Sequence, residues 1–72
     1  MSKDARRFIL ALLEYVIGLR TNQLLMMKAF ASFPWPDEQM RHDLRASVAR
    51  EETIIEHAEK LLSELKASLE QE

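Results

Sequence analysis

The sequence predicts an all-α protein, a two-helix antiparallel hairpin that is expected to pair with a second copy into a four-helix bundle. Three observations lead there. Gly occurs once and Pro twice in 72 residues, while Leu, Ala, Glu, Lys and Arg abound, which is the composition of helices. Both prolines fall near the midpoint, in Ser32-Phe33-Pro34-Trp35-Pro36-Asp37. On either side of that corner, apolar residues recur at steps of three and four, the spacing of a helix face. A single domain over residues 1–72 follows, with one helix over about 4–32, a corner at 33–36 and a second helix over about 37–70.

The first helix is apolar on most of its circumference. One seam reads Ile9, Leu12, Val16, Leu19, Gln23, Met26, Phe30, and a second reads Leu10, Leu13, Ile17, Arg20, Leu24, Met27. The solvent stripe between them is thin: Arg7, Glu14, Thr21 and Lys28 recur every seventh residue, joined by Gly18. A single partner helix covers one such seam and not both. The surplus demands a further neighbour, and a symmetric dimer of hairpins supplies it most simply.

The corner ends the first helix because Pro34 and Pro36 disfavour helical backbone at Phe33 and Trp35. Pro36 also suits the start of the next helix, and Asp37 and Glu38 sit well against the positive end of its dipole. Trp35 and Asp37 are both candidates for its cap. In the second helix Leu44, Val48, Glu51, Ile55, Ala58, Leu62, Leu65 and Leu69 form one seam, which Ile54 and Leu61 widen on one side. Arg45, Glu52, Glu56, Lys60 and Ser63 occupy the opposite, solvated face, where Glu56–Lys60 and Lys60–Glu64 have the spacing of charge pairs.

Polar residues inside these seams are the first candidates for function. With equal rise in both helices, position n of the first faces roughly 70 − n of the second. Arg20 then lies near Glu51 and Gln23 near Ser47, and the four are expected to form a polar layer with Arg20–Glu51 as its ion pair. The plain role of such a layer is to fix helix register and oligomer state. A sharper role is the floor of a site for an anionic ligand. At the turn end, Met26, Met27, Phe30, Phe33 and Trp35 gather. Phe33 and Trp35 are expected to fold back as a plug for the bundle end. Failing that, the cluster is an adaptable surface for a partner protein or apolar ligand.

Composition excludes several classes. With 47% apolar and 31% charged residues the chain has a globular balance and not a disordered one. It is nevertheless too short to bury a large core alone, and without cysteine it has no disulfide to help, so association is expected. The same lack of cysteine suits the cytoplasm. Ten basic against twelve acidic residues give a net charge of −2, and Arg41, Arg45 and Arg50 fall on different faces among Glu38, Asp43 and Glu51, so nucleic acid is not expected as a partner. Lys3, Arg6 and Arg7 precede an apolar run in the order of a signal peptide, but Glu14 interrupts it. A membrane span needs about 20 apolar residues, and this one reaches Leu19 only across Glu14 and Gly18.

Catalytic and metal-binding patterns are missing. Helical-bundle metal sites use Glu-x-x-His, but Ile54 stands three residues before His57 and Gln39 three before His42. Both histidines are expected in solvent, and no metal or other cofactor is expected. Nothing further supports a site assembled by symmetry from Glu14, Glu51 and His57. One glycine rules out a phosphate loop, and Ser47 has no histidine within a turn. The expected function is a small self-associating interaction or assembly module and not an enzyme. The alternatives are a ligand- or metal-binding bundle built on the polar layer or the Glu14/His57 level, or a helix pair attached to a membrane surface through residues 8–19.

Overall fold

The chain folds back on itself as two long helices, α1 (Lys3–Ala31) and α2 (Glu38–Glu70), joined by a tight corner; the computed structural model describes residues 2–71. Each helix begins at a side-chain cap. The Ser2 hydroxyl accepts from the Ala5 amide at 3.1 Å, and the Asp37 carboxylate accepts from the amides of Gln39 and Met40. Asp37, not Trp35, is therefore the α2 cap, and its negative charge also meets the positive helix end. The boundaries lie within a residue or so of those read from the proline cluster.

The antiparallel arrangement puts the second seam of α1 inward. Leu10, Leu13, Ile17, Arg20, Leu24 and Met27 are buried or half-buried, as is the whole α2 seam from Leu44 to Leu69. The core is nonetheless thin: among the described residues only Ile17, Leu24 and Ile55 are buried to 9% exposure or below. Two helices cannot enclose a centre. The rod measures 55 × 15 × 15 Å with a radius of gyration of 16.5 Å, whereas a globular chain of this length has about 11 Å.

Ion pairs line one edge of the seam. Lys28 reaches Glu52 at 3.4 Å and Lys66 reaches Glu14 at 3.1 Å, both half in solvent. This corrects the placement of Glu52 on the far solvated face: it sits at the seam's edge and bridges the helices. Among the described residues Glu56, Lys60 and Glu64 form no ion pairs with one another and stand exposed in solvent. At such exposure the bridging pairs contribute about 1 kcal/mol or less each.

Two stability effects follow. Asp37→Ala removes a cap that holds two amides, and should cost about 1 kcal/mol in thermal or urea unfolding followed by circular dichroism. Gly18 lies inside α1 with nothing within 4 Å of where a Cβ would stand. Gly18→Ala should therefore stabilise the protein by roughly 0.5–1 kcal/mol through helix propensity, and a loss of stability there would mean that the open space is filled in solution.

Candidate interaction surface and polar layer

Arg20 and Glu51 meet across the seam in a two-pronged pair. Arg20 Nε donates to Glu51 Oε1 at 2.6 Å and Nη2 donates to Oε2 at 2.9 Å. The planar guanidinium fork matches the carboxylate geometry, which strengthens and orients the pair. The Glu51 side chain is only 12% exposed and that of Arg20 is 40%, so the carboxylate is enclosed while the guanidinium reaches outward. The hydrogen bond from Arg20, aided by its charge and opposed by desolvation, holds the Glu51 carboxyl below the usual carboxylate range. The same hydrogen bond and the charge of Glu51 raise Arg20 further.

The rest of the expected layer is not assembled. Gln23 is exposed, Ser47 is half-buried, and no hydrogen bond joins them among the described residues. The reason is helical angle. Gln23 follows Arg20 by three residues, which turns it about 60° away from the α1–α2 seam and onto the other seam of α1. No buried polar side-chain atom among the described residues lacks a partner, so the pair leaves no polar floor awaiting an anion.

The larger feature is the outer seam of α1. Ile9, Leu12, Val16, Leu19, Met26 and Phe30 are 40 to 74% exposed, an uncovered apolar face running nearly the length of the helix. Because Lys28–Glu52 and Glu14–Lys66 define one edge of the hairpin, helical angle places Ile9, Val16 and Gln23 at the other edge, beside Ile54 and Leu61 of α2. One broad face of the rod is thus apolar and the opposite one charged. As the apolar circumference read from the sequence implies, Phe8 and Tyr15, each 65% exposed, extend the seam around the back of α1.

The corner closes the end of this face. Trp35 folds back onto α1, where its indole Nε1 donates to the Phe30 carbonyl at 2.8 Å, and its ring lies 4.7 Å from those of both Phe30 and Phe33. The indole is a second donor to a helix-end carbonyl that also accepts the Phe33 amide at 3.3 Å. Trp35 is half-buried as a plug should be, but Phe33 remains 56% exposed. Of the five residues expected at a partner surface, Met27 belongs mostly to the inner seam. It still joins Gln23, Met26, Phe30 and Leu44 around an open apolar groove of about 330 Å³.

No family model, characterised protein or solved structure matches this chain. Other chemistry finds little purchase on the surface. The described residues contain no group of three or more acidic or histidine side chains placed to share a metal ion. Glu14 turns to Lys66, nine residues beyond His57 along α2, and His57 is exposed. By length and composition α1 is apolar enough to cross a membrane, a property that the central helix of a bundle shares.

The ion pair has a pH consequence. A carboxyl whose pKa is lowered by folding adds stability at pH values above its unfolded pKa, and loses it as pH falls through the lowered folded value. Thermal stability should therefore drop on acidification below the ordinary carboxylate range, with a smaller drop in Glu51→Gln. At neutral pH Glu51→Ala should lower the melting temperature more than Glu52→Ala, since Glu51 is enclosed and doubly bonded; equal melting temperatures would deny the pair a structural role.

Proposed function

We propose that this protein is a small assembly module that associates with itself through the apolar face of α1 to form a four-helix bundle. The observation that carries this is the amount of surface left uncovered. The chain exposes 5613 Å². Folded monomers of 8.4 kDa expose about 4,600 Å² by the scaling of surface with mass. The excess of about 1,000 Å² is comparable to the roughly 800 Å² that each partner contributes to a stable interface. Large aliphatic and aromatic side chains of the kind that drive helix association stand exposed along α1.

A soluble assembly accounts for the charges better than a membrane does. A spanning α1 would carry Glu14 and Arg20 into hydrocarbon, a cost of about 2.5–3.5 kcal/mol for each charge near the centre by insertion scales. In a bundle both keep their partners on α2 and the charged face keeps its water. A scaffolding or regulatory role in the cytoplasm suits such a module, and its partner surface would be whatever the assembled bundle leaves outside.

Light scattering after size exclusion, over a dilution series, should give a dimer mass. Val16→Asp, at a position 44% exposed in the hairpin, should shift the protein to monomer and reduce its helix content. Ser63→Asp, on exposed α2 surface, should leave the mass unchanged. A wild-type monomer at micromolar concentration would overturn the proposal. Stoichiometric metal in the dimer peak would favour a metal-binding bundle instead.

A further inference from the structure

Resting on that reading, we infer how the second copy lies: α1 packs on the partner's α1, antiparallel, with residue n of one copy opposite about 42 − n of the other by equal helical rise. The first ground is supply. Beyond its buried seam, α2 offers only Ile54 and Leu61 as large exposed apolar side chains, too few to cover the outer seam of α1. Only another α1 presents an apolar face of matching length.

Direction follows from charge and shape at the two ends. Lys3, Arg6 and Arg7 outweigh Asp4 at the start of α1, while Asp37 and Glu38 lie at the corner. A parallel pair would set the two basic ends against each other. The antiparallel pair brings Lys3 and Arg7 near the level of the partner's Asp37 and Glu38. It also lays Ile9 and Leu12 against the partner's Phe33 and Phe30, so the half-exposed aromatic corner of each copy is covered by the apolar start of the other.

Register follows from Gln23 together with the cover of the apolar start of α1. The outer seam is a heptad pattern, Ile9, Val16, Gln23, Phe30 alternating with Leu12, Leu19, Met26, and antiparallel coiled helices layer one set against the other. In the 42 − n register, Val16 layers with the partner's Met26 and Leu19 with the partner's Gln23. The two Gln23 side chains then stand about one turn apart, within reach of each other, so each amide can find a partner when the seam closes. Sliding by one heptad toward the N-termini separates them by about 16 Å of axial rise and sets Phe30 against Ala5. Sliding by one heptad the other way keeps the two Gln23 within about 5 Å of rise but carries Ile9 and Leu12 past the end of the partner's α1, and the loss of that apolar cover decides against it.

Pulsed electron–electron spin resonance tests direction and register together, because the chain has no cysteine and single labels are therefore unambiguous. Arg7→Cys and Asn22→Cys place labels at exposed positions on the solvent side of α1, outside both the inner seam and the proposed contact. In a dimer of confirmed mass and helix content, the Arg7 labels should lie about 45 Å apart and the Asn22 labels within about 25 Å, from helical rise and label length. Short distances at both sites would mean a parallel pair, and an Arg7 distance shorter or longer by about 10 Å would mean a slipped register; any of these overturns this inference while self-association stands. A monomeric protein would remove both, and a monomer that co-sediments with phosphatidylserine vesicles would identify a membrane surface as what covers the face.

Discussion

A helix whose apolar arc exceeds half its circumference cannot be satisfied by one neighbour, and α1 is such a helix. Packing ridges into grooves covers a stripe, not a hemisphere. The inner seam, centred on Ile17 and Leu24, takes α2 as its neighbour. The outer seam, from Ile9 to Phe30, is left facing water. The thin core, the rod shape and the exposed aromatic corner all follow from this. A lone hairpin of this length buries too little surface for a robust fold, and the face that would complete its core is already present on the same helix.

Polar residues divide the two seams of α1 into separate tasks. Arg20 sits in the inner seam and is answered by Glu51. Their fork-to-fork geometry tolerates little sliding, so the pair defines how the hairpin closes. Gln23 lies less than a turn away but on the outer seam, exposed and without any partner on α2. Had both pointed inward, the hairpin would contain a broad polar layer and the outer face would carry no mark of position. Three residues of sequence separation are enough to aim one polar group at the intramolecular contact and the other at the outer seam.

The hairpin was legible in the sequence because its determinants are local. Two prolines within three residues leave no helical path through the corner, and a four-three apolar spacing defines each face whatever its surroundings. Arg20–Glu51 was legible for a related reason: equal rise fixes which levels meet. Less legible were properties that depend on the angle around a helix once a partner has been chosen. Level alone paired Gln23 with Ser47, and angle separates them. Glu52 was assigned to solvent by its distance from the seam's centre, yet lysine is long enough to reach it from Lys28. The Trp35 indole bonding back to the Phe30 carbonyl needed the actual path of the corner, which proline spacing constrains but does not specify.

The charged edge bears on specificity as much as on stability. Lys28–Glu52 and Glu14–Lys66 are too exposed to contribute much energy, but they line the edge of the hairpin away from Ile54 and Leu61. A second helix approaching from that side would have to desolvate four charges, whereas one approaching the outer seam meets Gln23 and, at its margin, the part-exposed guanidinium of Arg20, already paired with Glu51. The hairpin is therefore asymmetric in what it penalises as well as in what it attracts. In the proposed assembly, association through the apolar face is the favoured contact and stacking through the charged face is opposed. For the proposed self-association, such one-sidedness would favour a closed pair over an open chain of copies, since a contact that uses the same face of both molecules is consumed once it forms.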